Sequence, residues 1–142
     1  MRSCLKVFCD SDVIISSLIS HSGAAYSLFQ QLNVRFFISD LSIMEINRAI
    51  SKLHLRPIPF KSMIKYKLKI IKIIKSFTSL KKIYGGYVSD IKDIHIVAGA
   101  VISKADFLIS YNLKHYHQDK IKQDFKIILL TPARFLQYLR SN

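Results

Sequence analysis

The feature that most constrains this fold is a repeated alternation of short apolar segments with segments of helical periodicity. Mostly apolar, strand-like segments occupy residues 5–9, 34–38, 107–110 and 126–130. Apolar side chains at helical spacing predict helices over residues 14–19, 24–33, 40–53, 60–77, 90–105 and 132–139. Parallel strands need crossover connections, so this alternation is typical of a parallel sheet. The sequence therefore predicts an α/β fold, a three-layer sandwich in which helices flank a central, mainly parallel sheet of four to five strands.

Two of the predicted helices bear on function. Asp40 is predicted to be the N-cap of the helix over residues 40–53. Residues 60–77 combine apolar positions with lysines at helical spacing, which predicts one amphipathic basic helix. Its lysines would form a single positive face.

The size and composition of the chain favour a single domain that covers residues 1–142. The chain has only four Gly and three Pro, so no low-complexity segment could link two domains.

The sequence also bears on where the protein is found. Its apolar runs are much shorter than the ~20 residues that span a bilayer. Asp10 and Asp12 interrupt the segment where a signal peptide needs an apolar core. On a strand, Cys4 and Cys9 would lie roughly 16 Å apart, too far for a disulfide. We therefore expect a reduced, cytoplasmic protein without a membrane segment.

The net charge indicates a polyanionic partner. Twenty-two Lys and Arg stand against nine acidic residues, a formal charge of +13. No acid occurs between Asn47 and Ser89, a stretch that holds eleven of the cations. A solvated helix face combined with a general Lys and Ile bias explains this stretch equally well. On the functional interpretation it binds the phosphate backbone of a nucleic acid, with five candidate residues: Arg48, Lys52, Lys65, Lys69 and Lys72.

The few acids occur where catalytic carboxylates would be useful. Asp10 and Asp12 follow the first predicted strand, and Glu45, the only Glu in the chain, lies one turn into a helix. Asp90 and Asp93 begin another helix. Helix capping explains Asp12, Asp90 and Asp93 equally well, and a surface position is the usual explanation for a helical Glu. Three other acids are expected to be structural or loop charges: Asp106, Asp119 and Asp124.

Parallel sheets bind ligands beyond the carboxyl ends of their strands, where Asp10, Asp40 and Asn112 are expected. Carboxylates gathered there would repel one another unless a cation neutralised them. Oxygen ligands of this kind suit Mg²⁺ or Mn²⁺, and such an ion can activate water for attack on a phosphodiester. The histidines lack zinc-site spacing, and there is no Gly-rich phosphate loop.

Several segments resemble the motifs of PIN-domain nucleases. Residues 7–16 are similar to the opening strand and helix of that family, residues 42–46 to its second motif, and residues 90–100 with 104–114 to its third and fourth motifs. The resemblance implies a PIN fold and an Mg²⁺- or Mn²⁺-dependent ribonuclease like the VapC-type toxins. Two positions depart from the family pattern: Asp12 replaces the usual Asn, and Asn112 stands where many members have a fourth Asp.

By position, the resemblance makes Asp10, Glu45 and Asp93 the catalytic, metal-binding acids, with Asp90 and Asn112 as further candidate metal ligands. It also implies a small antitoxin partner that inserts into the active-site groove, and we expect a homodimer. The preferred hypothesis is an endoribonuclease toxin.

Two alternatives remain open at this stage. One is a catalytically weak PIN-like module that binds RNA or a partner. The other is a HAD-type phosphatase, with Asp10 as nucleophile and Asp12 as acid.

Overall fold

Five strands form the sheet in the computed structural model, which describes residues 4–141. Every neighbouring pair is parallel, in the order β3-β2-β1-β4-β5. The strands are β1 Leu5–Cys9, β2 Val34–Ser39, β3 Leu68–Ile71, β4 Phe107–Ile109 and β5 Ile128–Leu130. The central strand, β1, aligns Val7 with Phe36 of β2 and with Phe107 of β4. This arrangement confirms the predicted α/β fold.

Within the described part of the chain, eight α-helices connect or flank the strands. They are α1 Ser11–Ile19, α2 Ala24–Leu28, α3 Asp40–Lys52, α4 Ile58–Tyr66, α5 Phe77–Tyr84, α6 Ile94–Ile102, α7 Gln118–Phe125 and α8 Pro132–Ser141. Short 3₁₀ turns occupy Gly85–Tyr87, Ile91–Asp93 and Leu113–His115. None of the helices between residues 4 and 141 is long and apolar enough to cross a membrane.

The core has one layer on each face of the sheet, because alternate residues of a strand point to opposite faces. Val7 and Cys9 of β1 belong to the layer covered by α1, α2, α3, α4 and α8. Phe8 belongs to the opposite layer, covered by α5, α6 and α7. The result is the predicted three-layer sandwich.

The predicted basic helix over residues 60–77 is wrong. Helix α4 ends at Tyr66, and residues 68–71 form the edge strand β3, which pairs with β2 from Phe36 to Ser39. Leu68 is buried against the sheet while Lys69 is exposed. The lysine spacing fits a helix, but the adjacent isoleucines favour an extended chain, and pairing with β2 decides between the two.

Several boundaries also differ from the prediction. The helix expected over 24–33 ends at Leu28, and the helix expected from Asp90 begins as a 3₁₀ turn before α6. Ser39, not Asp40, caps α3, since its Oγ accepts a hydrogen bond from the Ser42 backbone N–H at 3.1 Å. Asp40 instead accepts one from the Ile73 backbone N–H, which ties α3 to the segment after β3.

Helix α7 was not predicted, and it carries Asp119 and Asp124, which were expected in loops. Ile121 is its only buried residue, too small an apolar set to produce a helical pattern. Asp106 is structural as expected, because Oδ2 accepts a hydrogen bond from the Lys6 backbone N–H at 2.9 Å. Cys4 and Cys9 are free thiols.

Close packing of α6 against β1 makes Gly99 a sensitive position. A Cβ atom at Gly99 would lie 2.4 Å from Cζ of Phe8, a ring that is fully buried. We expect Gly99→Ala to lower the free energy of unfolding by about 1–3 kcal/mol through overpacking, as measured by urea denaturation. Gly85→Ala is the control, because its Cβ would meet only Lys81 Cγ at an ordinary 3.6 Å. Equal stability of the two variants would contradict this packing.

Candidate active site

A cleft of about 680 Å³ opens at the carboxyl ends of the central strands. All five acid and amide candidates from the sequence line it: Asp10, Glu45, Asp90, Asp93 and Asn112. They come from four places in the fold: the β1–α1 junction, α3, the 3₁₀ turn before α6, and the loop after β4. Parallel strands bring these segments together because their carboxyl ends lie at one edge of the sheet.

Asp10 is the most firmly held carboxylate in the cleft. It is 8% exposed and caps α1, where Oδ1 accepts a hydrogen bond from the Ser11 backbone N–H at 2.8 Å. Oδ2 accepts hydrogen bonds from Oγ of Ser110 at 2.9 Å and from the hydroxyl of Tyr116 at 2.7 Å. Burial, followed by the charge of Asp10, raises the pKa of Tyr116, so this hydroxyl remains a donor.

Asp12 lies beside Asp10, in the first turn of α1. Its Oδ2 accepts hydrogen bonds from the side-chain amide of Asn112 at 3.0 Å and from the Tyr111 backbone N–H at 3.2 Å. Its Oδ1 is buried without a hydrogen-bond partner. Burial, reinforced by the charge of Asp10, raises the pKa of Asp12 to about 7. Asp10 therefore takes the capping role that the sequence left open for Asp12.

Asp93 approaches the same pair of acids from the start of α6. It occupies the N-cap position but makes no capping hydrogen bond through its side chain. Its Oδ2 lies 3.3 Å from Nδ1 of His115, an ion-pair distance without hydrogen-bond geometry. Burial raises the pKa of Asp93, the charges of Asp10 and Asp90 raise it further, and His115 opposes them. Asp90 caps the preceding 3₁₀ turn through the Lys92 backbone N–H.

Glu45 occupies another part of the cleft and is held by a histidine. Its Oε1 lies 2.8 Å from Nε2 of His95, and Nδ1 of that ring lies 2.9 Å from Oγ of the fully buried Ser39. The Glu45 side chain is 46% exposed. It is thus neither a free surface residue nor part of the mutually repelling set of Asp10, Asp12 and Asp93.

The donors in the cleft fit a divalent cation that keeps much of its hydration shell. Within residues 4–141, no three His, Cys, Asp or Glu side chains form a complete metal-binding group. Mg²⁺, however, commonly retains several waters and takes only one or two carboxylates from the protein. The buried Oδ1 of Asp12, which has no hydrogen-bond partner, and the repulsion that Asp10 exerts on Asp12 and Asp93 are features that a cation would relieve.

The basic candidates do not form one helical face. Arg48 lines the cleft, as does Lys92, which was not predicted. The others lie elsewhere along the chain: Lys52 in the last turn of α3, Lys65 in α4, Lys69 in β3 and Lys72 directly after it. Their predicted periodicity depended on a helix that ends at Tyr66.

Other residues of the site gave little signal in the sequence. The spacing of His95 and His115 argues against zinc and predicts no other role, whereas the structure places each beside a carboxylate. Ser110 and Tyr116 hold Asp10 from residues about a hundred positions away. Of this group, only Ser110, at the end of a predicted strand, could have been located from the sequence.

The fold and the acidic cleft define a class of α/β protein in which carboxylates lie at the carboxyl ends of the parallel strands. Comparison with known protein families identifies the family. Residues 6–114 match the family described as PIN domain. The chain belongs to the PIN domain family, as the motif resemblance indicated. This assignment does not support the phosphatase alternative.

Two solved structures share the fold at low sequence identity. One is a crystal structure of VapBC2 from Rickettsia felis bound to a DNA fragment from its promoter, with 18% identity and a TM-score of 0.61 over 89% of this chain and 98% of that one. The other is a toxin–antitoxin complex from Klebsiella pneumoniae, with 19% identity and a TM-score of 0.62 over 89% and 97%. No functionally curated protein matches the sequence.

Proposed function

We propose that this protein is an endoribonuclease that uses Mg²⁺ or Mn²⁺ to hydrolyse RNA phosphodiester bonds. The observation that carries the proposal is the convergence of Asp10, Asp12 and Asp93, whose charges repel one another, together with a buried oxygen of Asp12 that has no hydrogen-bond partner. A bound divalent ion would supply charge neutralisation and water activation. Membership of the PIN domain family supports the same function.

The residues of the cleft have separate roles in this proposal. Asp10, Glu45 and Asp93 are the catalytic and metal-binding acids, and Asp90 and Asn112 support them. Three donors hold the Asp10 carboxylate: the Ser11 backbone N–H and the hydroxyls of Ser110 and Tyr116. A carboxylate held in this way would fix the position of the ion. Glu45, which His95 orients and which is partly open to solvent, would accept a proton from the attacking water.

Cations in and near the cleft would hold the substrate. Arg48 and Lys92 line it together with the acids and would bind the phosphates that flank the cleaved bond. Lys52, Lys65, Lys69 and Lys72 contribute to the positive charge outside the cleft and would attract RNA in a salt-dependent way.

We also propose the toxin role for this chain, acting in the cytoplasm as one domain over residues 1–142 and as a homodimer. The support is the motif resemblance together with the fold shared with a toxin–antitoxin complex. A small antitoxin would then bind this chain and block the cleft. Co-expression with the product of a neighbouring gene tests this part.

RNA cleavage by purified variants tests the proposed chemistry. We expect wild-type protein to cut single-stranded RNA in the presence of Mg²⁺ or Mn²⁺, and Asp10→Asn to reduce the rate by at least about 100-fold, because Asp10 both binds the ion and orders the site. The matched control is Asp119→Asn, since Asp119 lies on α7, outside the cleft. Equal cleavage by the two variants would contradict the assignment of Asp10.

A module that binds RNA without cutting it is the second candidate. Two observations favour it: the described residues contain no complete three-ligand metal group, and Asn112 stands in place of a fourth acid. It predicts salt-sensitive RNA binding by wild type and Asp10→Asn alike, with no metal-dependent product from either.

A further inference from the structure

A second, smaller groove of about 300 Å³ adjoins the acidic cleft. Leu80 of α5 and Ile94 of α6 are buried beneath it. Its walls are more open, with Phe77 58% exposed, Ile91 39% and Leu41 38%. Exposed apolar side chains gathered around a concave surface are typical of a binding site.

The groove is continuous with the cleft that carries the acids. Leu41, Lys92 and His95 line both. Whatever occupies the groove therefore lies next to the reacting phosphate of the proposed function.

The charges around the groove favour an anionic occupant. Lys75 and Lys92 line it, and no acidic residue does, whereas five acids line the neighbouring cleft. Apolar walls with an exposed aromatic ring and two cations match an unpaired nucleobase and its phosphate, because any base can stack on a ring and lysine can bind the phosphate. The volume suits a base-sized group better than a helix of a protein partner.

We propose that this groove is a base-binding subsite for single-stranded RNA, in which Phe77 stacks on a base flanking the cleaved bond and Lys75 and Lys92 bind the adjoining phosphates. The inference deepens the proposed function and rests on it for the position of the cleaved bond. The base that Phe77 contacts must be unpaired, since a paired base cannot enter the groove.

Binding of a short, unstructured, fluorescein-labelled RNA to the uncleaving Asp10→Asn protein tests the subsite. Adding Phe77→Ala should weaken binding about 5- to 150-fold, the equivalent of one stacked base, and Phe77→Trp should retain it. Phe77 is largely exposed at the start of α5, so the fold should not change. Tyr66→Ala is the matched control, an aromatic residue that is 72% exposed on α4 and outside the groove.

Removing single bases from the RNA locates the contact. An abasic site at one position flanking the cleaved bond should weaken RNA binding to the Asp10→Asn protein about as much as Phe77→Ala does. In the protein that also carries Phe77→Ala, the same abasic site should weaken binding little further, because both changes remove the same stacking contact. The subsite would be overturned if the losses of affinity from the abasic site and from Phe77→Ala were additive. It would also be overturned if Phe77→Ala and Tyr66→Ala lost equal affinity, or if Phe77→Ala did not change RNA binding. Unchanged binding would leave a protein partner as the occupant.

The two proposals fail in different ways. Metal-dependent cleavage by wild type, together with unchanged RNA binding by Phe77→Ala, would overturn the subsite and leave the nuclease in place. RNA binding that depends on Phe77, without any cleavage by wild type, would support the subsite and overturn the nuclease.

Discussion

Asp12→Asn is expected to reduce RNA cleavage by about 10- to 100-fold or more, although asparagine is the usual residue at this position in the resembling family. Asp12 and Asn112 form a carboxylate–amide pair, with Oδ2 3.0 Å from the amide nitrogen. The two residues that depart from the family pattern are therefore hydrogen-bonded to each other. Compared with that pattern, the acid and the amide have exchanged positions across one hydrogen bond. Asp12→Asn alone leaves two amides and removes an acid from the cluster.

The double variant Asp12→Asn, Asn112→Asp should recover most of the lost rate. It restores one acid and one amide with their positions exchanged, and an asparagine at position 12 can still accept the Tyr111 N–H bond now made by Asp12. Single-turnover cleavage rates of wild type, both single variants and the double variant measure the coupling. Full activity in Asp12→Asn, or a double variant no better than it, would contradict the paired role.

The second large effect concerns stability in the presence of a divalent ion. We expect saturating Mn²⁺ or Mg²⁺ to raise the melting temperature at pH 8, because the ion neutralises the repulsion among Asp10, Asp12 and Asp93. An ion at about 100 times its Kd adds about 2.7 kcal/mol, which for a chain of this size is a shift of roughly 10 °C. Thermal melts with and without the ion measure it.

The raised pKa of Asp12 determines whether the stability of the metal-free protein rises or falls with pH. Its folded-state pKa is raised to about 7 from the usual value of 3.8, so the native state binds its proton more tightly than the unfolded state does. This stabilisation is fully present below about pH 4 and is lost as the pH rises to about 7. The metal-free protein should therefore lose stability across that range, and the ion should stabilise it far more at pH 8 than at pH 5.

Variants separate this effect from general ion binding. Asp12→Asn should raise the stability of the metal-free protein at pH 8 by roughly 1–3 kcal/mol and should shrink the response to the ion. Asp119→Asn should respond as wild type does. If the melting temperature of the wild-type protein at pH 8 were the same with and without divalent ions, the metal site would be contradicted.

Local sequence predicted the parts of the fold that have a strong local pattern. The sequence predicts strands β1, β2, β4 and β5 because each is a short, mostly apolar run that ends next to a polar residue, as β1 does at Asp10. Strand β3 was missed because its lysines repeat at helical spacing, and only pairing with β2 makes that segment extended. Helix α7 was missed because Ile121 alone is buried.

The sequence predicts the acids of the candidate site, but it does not predict the contacts that hold those acids in place. Asp10, Glu45 and Asp93 line one cleft, as the order of the motifs indicated. The contacts of Tyr116 with Asp10 and of His95 with Glu45 join distant segments, and no local pattern encodes such contacts. The sequence does not distinguish a cap from a functional acid at Asp12, because its pairing with Asn112 depends on β1 and β4 being neighbours.

The metal dependence of RNA cleavage tests the central claim most directly. Single-turnover cleavage of a labelled single-stranded RNA is followed while Mn²⁺ or Mg²⁺ is titrated into metal-free protein and then removed with a chelator. The account predicts a rate that rises with the ion, saturates, returns to background with the chelator and recovers when the ion is restored. A cleavage rate that is the same with and without the ion would contradict it.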